Sequence, residues 1–248
     1  MGFTLHFINM AEEIKTPKVG VIIIIYNIPS TLFILQIEAI KTFCTDEDYE
    51  IQIIDNGNIP LMSEHIKYHA ELFGLNYTKT FSTDQNSSTS HSFSADLAYQ
   101  MFKDRYEIIA YIDHDLIPVK FFSFSEILGD KIMAGLGQHK GIYMWPGLVF
   151  WWNSKIDKSL VSFAPQIGLD TGAGLRKIIE EYGIENCRFL NEAYQQNIGF
   201  TGTKHGHFSL LHDATFAHMV CASNWSGEDR HEERVNTFIN FVKEKAGL

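Results

Sequence analysis

Residues 108–118 read IIAYIDHDLIP. Strand-forming residues run straight into two aspartates, Asp113 and Asp115, with His114 between them and Pro118 behind. An unbroken apolar run of this length suits a strand covered on both faces, the habit of parallel strands in α/β proteins. The sequence upstream repeats the theme. KVGVIIIIYN (18–27) is a second buried run, followed by the helical pattern STLFILQIEAIKTF (30–43) with Ser30 placed as its N-cap. EIQIIDNGN (50–58) is a strand ending in turn residues; PLMSEHIKYHAELFG (60–74) is a helix with proline in its first turn and Gly74 past its end. NYTKTFS (76–82) gives a short strand and STSHSFSADLAYQMFKDRY (88–106) a third helix, which leads into IIAYIDHD.

Strands that alternate with helices imply right-handed crossovers, hence a mostly parallel sheet with helices on both faces. In such sheets ligands gather outside the carboxyl ends of the strands. Here those ends carry Tyr26 and Asn27, then Asp55, then Asp113, His114 and Asp115, so three polar tips converge on one edge.

From about residue 131 the pattern is less regular. KIMAGLGQ (131–138) and the aromatic GIYMWPGLVFWWN (141–153) read as strands of mixed direction. DTGAGLRKIIEEYG (170–183) opens a helix with Asp170 or Thr171 as cap. HFSLLHDATFAHMVCASNW (207–225) is rich in histidine and fits no single pattern, whereas RHEERVNTFINFVKEKAG (230–247) is an amphipathic helix with Val235, Phe238, Ile239 and Val242 on one face. The polar FSTDQNSSTSHS (81–92) reads as a loop, and no repeat or linker divides the 248 residues, which suffice for one domain over 1–248.

Composition narrows the function classes. Hydrophobic residues at 45% and charged residues at 20% are globular values, and the longest aliphatic run, 21–25, cannot span a bilayer. With no signal-peptide pattern, the expectation is a cytoplasmic protein without a membrane span. Cys44, Cys187 and Cys221 are far apart and in apolar surroundings, as befits buried thiols in a reducing compartment. A net charge of −10 argues against a nucleic-acid partner, which needs excess lysine and arginine. It does not argue against a single diphosphate held by a metal ion and backbone amides.

Asp113 and Asp115 are one residue apart, so along an extended segment they face the same way. Two such carboxylates repel until a cation joins them, and a hard ion such as Mn2+ or Mg2+ does so while keeping positions for water and phosphate oxygens. Two solvated acids in a strand-end turn remain the plain alternative. His114, between them, faces the other side of the pleat and is not assigned to the metal.

In their order, VIIIIYN, IIDNGN, SSTSHSFSADLAYQ and YIDHD resemble the pieces of nucleotide-sugar glycosyltransferases of the GT-A type, similar to the family 2 group. The resemblance covers about residues 18–120 and thins afterwards. It implies a GT-A (Rossmann-like) α/β fold with a nucleotide-sugar-binding half over about 18–120, and a smaller mixed acceptor-side half with a C-terminal helix over about 121–248. The implied activity is metal-dependent transfer of a sugar from a nucleoside diphosphate sugar to a hydroxyl acceptor such as a glycan, with Mn2+ or Mg2+ as cofactor. By the same resemblance Tyr26 and Asn27 border the base and ribose, Asp55 takes a base or ribose hydrogen bond, Asp113 faces ribose and metal, and Asp115 binds the metal. A late histidine often joins that shell. His218, followed by a segment ending in SNW, is the choice, with His207 next and His205 and His212 read as surface or core histidines.

Three further assignments come from local context. Asp170 is the candidate base for the acceptor hydroxyl, beside its plain N-cap reading. His91, among serines at a helix start, suits a phosphate or ribose, or an ordinary polar loop. Trp145, Trp151 and Trp152 suit a sugar face or the core. The second half has no acid pair of the ED type, which leaves the stereochemical outcome open. Two other functions stay in view: a non-catalytic nucleotide-sugar or carbohydrate-binding domain, and a metal-dependent phosphoesterase, which would want carboxylate and histidine clusters at successive strand ends. Donor base, acceptor and oligomeric state are not set by these residues.

Overall fold

A computed structural model describes residues 17–81, 87–138, 142–197, 207–220, 222–223 and 230–247, with only the backbone for Ser87, 192–197 and His207. The first strand, β1 (Val19–Ile25), is buried along its whole length. Its alternate residues serve two cores. Val19, Val21, Ile23 and Ile25 pack on one face of the sheet, and Ile22 and Ile24 on the other. Each such side chain contributes roughly 1.5–3 kcal/mol relative to exposure, which is why this run admits no polar residue. Gly20 is set by a neighbour: a Cβ there would stand 2.2 Å from the ring of Tyr106.

Around β1 the main sheet has seven strands in the order β3-β2-β1-β4-β7-β6-β8. They are β2 (Tyr49–Asp55), β3 (Asn76–Lys79), β4 (Ile108–Asp113), β6 (Met133–Gln138), β7 (Tyr143–Trp152) and β8 (Cys187–Leu190). All run parallel except β7, which follows β6 as the second arm of a hairpin and pairs antiparallel with both β6 and β4. Helices α1 (Ser30–Phe43), α2 (Pro60–Leu72), α4 (Phe124–Leu128) and α6 (His231–Ala246) pack into one core; α3 (Ser87–Phe102) and α5 (Arg176–Tyr182) pack into the other. The expected α/β class with helices on both faces is therefore the observed one. No described helix is long and apolar enough to cross a membrane.

A second sheet, four-stranded and antiparallel, has the order β5-β11-β10-β9. It contains β5 (Leu116–Pro118), β9 (Glu192–Asn197), β10 (His207–Leu211) and β11 (Phe216–Met219). The histidine-rich stretch without a clear pattern is thus a hairpin, β10 and β11, whose turn runs through His212, Asp213 and Ala214 at positive φ.

Two caps differ from expectation. Ser30 is the first residue of α1 rather than its cap; extended Pro29 precedes it, with no side-chain cap bond. Neither Asp170 nor Thr171 caps α5, because Gly172 at φ 87 and a 3-10 turn over Ala173–Leu175 intervene. On α6, Val235, Phe238 and Val242 are buried and Ile239 lies partly buried against the same core, as the amphipathic pattern requires.

Candidate functional site

The order β3-β2-β1-β4 places the reversal of winding between β1 and β4, where an open α/β sheet has its crevice. β1 ends there at Tyr26 and Asn27, and β4 ends there at Asp113. The chain does not run on extended after Asp113. His114 and Asp115 form a turn, and Leu116 already begins β5, because β11 recruits it through the pair His218 with Leu116. The two aspartates therefore stand at the joint between the two sheets.

Asp115 is 5% exposed. Its backbone carbonyl accepts from Met219 N at 3.0 Å and its Oδ2 from Ala222 N at 3.4 Å. Among the described residues its Oδ1 accepts no hydrogen bond, and it lies 3.5 Å from His218 Nε2. His218 is held from behind by Trp145, ring centroids 4.9 Å apart. Trp145 reaches that place because β7 continues beyond Leu148, the partner of Ile112, alongside the turn. Its indole folds over Gly147, where a Cβ would meet the ring at 2.2 Å. The other tryptophans are elsewhere: Trp151 is fully buried in the core beside Tyr111, and Trp152 carries Lys155 over its ring at 4.3 Å.

Asp113 is half-buried and accepts from the His114 backbone N–H at 2.9 Å. Burial pushes its carboxyl up, but the charges of His114 and His91 and the hydrogen bonds from His114 outweigh that and hold it well below the usual range. His114 turns its Nδ1 to the Ile24 carbonyl at 3.0 Å and to Asp113 Oδ1 at 2.9 Å. Burial disfavours its charged form, and the Asp113 carboxylate more than offsets this, raising the imidazole.

His91 sits in the first turns of α3. Burial lowers its pKa, while the carboxylates of Asp113, Asp170 and Asp115 pull against that, so it is an imidazole in an acidic neighbourhood. The α3 start is fixed from below by Asn56 Nδ2 donating to Ser90 Oγ at 3.0 Å and by the Thr80–Ser94 hydroxyl pair at 2.9 Å. Asp170 is exposed and tied to the same turn: its Oδ1 accepts from Thr171 N at 2.7 Å and from the Ser88 hydroxyl, while Thr171 Oγ1 donates to Ser88 O at 2.9 Å. These contacts bring Asp170 from the second half to the edge that carries Asp113.

Beside the joint lies a cavity of about 320 Å³ lined by Tyr26, Asn27, Pro29, Ile59, Met62, Ser223 and His231. Asn27, at φ 46, spends its side chain on the neighbouring loop, accepting from Asn58 N and Ile59 N and donating to Asn58 Oδ1. Asp55 is buried and already engaged: Oδ1 accepts from Gly57 N at 2.7 Å and Lys79 Nζ at 3.2 Å, and Oδ2 from Tyr77 at 2.6 Å. Sequence reasoning missed Met62, Ser223 and His231. They come from three distant segments and share no pattern. His205 and the side chain of His207 lie outside the described residues, and His212 is in the β10–β11 turn.

Among the described residues no three His, Cys, Asp or Glu side chains close on a common point. Asp115 and His218 form a pair instead. A pair suits a hard ion that takes its other ligands from water and phosphate, and the buried Asp115 Oδ1 without a hydrogen bond is the atom such an ion would satisfy.

No protein-family model and no curated protein matches the chain. Among solved structures it is similar to the mannosyltransferase PcManGT from Pyrobaculum calidifontis in complex with GDP-Man and Mn2+, at 14% identity and a TM-score of 0.46, over 64% of this chain and 50% of that one. This chain spans about half the length of that protein, and the roles assigned below rest on its own residues.

Proposed function

We propose that the chain is a metal-dependent glycosyltransferase of GT-A type that moves a sugar from a nucleoside diphosphate sugar to a hydroxyl acceptor such as a glycan. One observation carries this reading: at the β1/β4 reversal a buried Asp115 oxygen with no hydrogen bond among the described residues faces His218, beside a cavity lined by Tyr26 and Asn27. Asp115 and His218 would hold Mn2+ or Mg2+, which would supply positive charge for the departing diphosphate, while Asp113, which does not close on the same point, would face the ribose.

The remaining roles belong to side chains. Tyr26 offers its ring to the base in the cavity, and Asn27 keeps the cavity wall in place through Asn58 and Ile59. For Asp55 to receive a base or ribose hydrogen bond, one of its present donors must turn away, and half-exposed Lys79, which also donates to the Gly57 carbonyl, is the one that would do so. His91 donates to a phosphate or ribose oxygen from the α3 start. Asp170, exposed and aimed by Ser88 and Thr171, takes the proton of the acceptor hydroxyl.

A phosphoesterase fits less well, since it would want carboxylate and histidine clusters at successive strand ends, and here β1 ends in Asn27 and β2 in the single carboxylate Asp55. A binding module that keeps the donor site without turnover differs only at Asp170. The test is a panel of nucleoside diphosphate sugars with Mn2+, scored for binding and for release of free diphosphate with and without chelator. Metal-dependent release is expected. The absence of donor binding together with the absence of metal dependence would sink the proposal, and binding without release to any acceptor would favour the module.

A further inference from the structure

We propose that Gln36 is the positioning residue of the Asp113/Asp115 turn, clamping both ends of it so that the carboxylates stand ready for a divalent ion; this rests on the metal site proposed above. Gln36 lies in α1, has no exposure, and reaches across to a segment about eighty positions away in sequence. Its Nε2 donates to Asp113 O at 2.7 Å and to Leu116 O at 2.9 Å. Those carbonyls bracket the turn: one ends β4 in the main sheet, the other begins β5 in the second. Carbonyl oxygens only accept, so the atom facing them must be the amide nitrogen, and one group spends both its N–H bonds on the two ends of a two-residue turn.

The arrangement is not what packing alone would select. Gln36 Oε1 is buried with no hydrogen-bond partner among the described residues, so the amide carries an unsatisfied acceptor into a core of Leu32, Phe33, Leu35, Ile37 and Ile40. An aliphatic residue would fill that space without the orphan oxygen, but it would leave two buried carbonyls at the joint unclamped. Residues that orient ligands without touching the ion typically change metal affinity by roughly 10–100-fold when removed.

The experiment titrates Mn2+ into the whole chain without donor, following free Mn2+ by electron paramagnetic resonance, for wild type, Gln36→Met, Gln36→Asn and Ile37→Val. Ile37 is the equally buried neighbour on α1 and serves as a control for general loss of stability. Gln36→Met is expected to bind Mn2+ roughly 10–100-fold more weakly, with a broadened bound-ion spectrum. Ile37→Val should match wild type. If Gln36→Met does not fold, Gln36→Asn, which keeps the amide but falls a methylene short, decides by the same criterion. A folded Gln36 variant with wild-type Mn2+ affinity, or an Ile37→Val loss as large, overturns the proposal while leaving the metal site standing. A wild type that takes no Mn2+ removes both.

Discussion

Replacing Asp115 by asparagine should raise the stability of the metal-free protein and abolish its response to Mn2+. The carboxylate has one satisfied side: Oδ2 accepts from Ala222 N, and the backbone carbonyl from Met219 N, and both bonds survive in asparagine. The other oxygen is buried with no hydrogen bond among the described residues, a condition that costs about 1–3 kcal/mol. Asparagine puts a neutral amide in place of that oxygen. Taking the low end, about 1 kcal/mol, the melting temperature should rise about 2–4 °C for a chain of this size. Wild type should instead gain about 2.7 kcal/mol, or about 5–11 °C, from Mn2+ at one hundred times its dissociation constant. Differential scanning fluorimetry in EDTA and in Mn2+ measures both. A variant that melts below wild type in EDTA would show that Asp115 is a satisfied structural acid, and a variant that keeps the Mn2+ shift would remove it as a ligand.

Gly20→Ala should destabilise by about 2–4 kcal/mol in urea unfolding, since the methyl displaces the Tyr106 ring and with it the bonds to Glu50 and Gln52; a loss under about 1 kcal/mol would refute that packing argument. Burial pushes Cys44 up to about 12 and Cys187 up to about 11, so neither thiol should be alkylated by iodoacetamide in the native protein at neutral pH, while both react in denaturant. Rapid native labelling of half-buried Cys44 or buried Cys187 would contradict the raised pKa of that thiol. Glu50 is held below its ordinary 4.5 by hydrogen bonds from Lys18 and Tyr106, so its contribution is present above about pH 4.5 and fades as pH falls through the lower folded value. Glu50→Gln should therefore flatten the fall in melting temperature between about pH 5 and pH 3, and an unchanged slope would assign the acid sensitivity elsewhere.

The first half of the fold was readable because its signals are local. β1, β2 and β4 announce themselves by continuous apolar runs, and α2 by Pro60 at its first position and Gly74 at φ 68 beyond its end. The cap at Ser30 failed for an equally local reason: Pro29, extended, takes the cap position. What sequence could not supply was register between distant strands. The alternation in β10 and β11 is visible once known, but nothing local says that β11 pairs with β5, and only that pairing sets His218 beside Asp115. The tryptophans make the same point within one segment. Trp151 and Trp152 take opposite faces of β7 by simple alternation, while Trp145 reaches the joint only because the strand continues past the end of β4. The Asp113/Asp115 pair was legible as residues but not as geometry, since the extended segment expected there is a turn between sheets.

That turn also makes the proposed metal site a latch. β5 is three residues long and is held in the second sheet by β11 alone, so the joint is a narrow bridge between the β1/β4 cavity and the His218 hairpin. An ion shared by Asp115 and His218 would have one ligand on the bridge and the other on the hairpin, and opening β11 away from β5 would break it. Opening of the edge strand β3, which pairs only with β2, would leave it intact. Amide exchange should then separate the two: at one hundred times the dissociation constant Mn2+ should slow exchange in β11 by up to about 100-fold and leave β3 unchanged. Equal protection of both would mean that the ion acts on global stability alone. Binding of Mn2+ without protection of β11 would take His218 out of the ligand set and leave Asp115 in it.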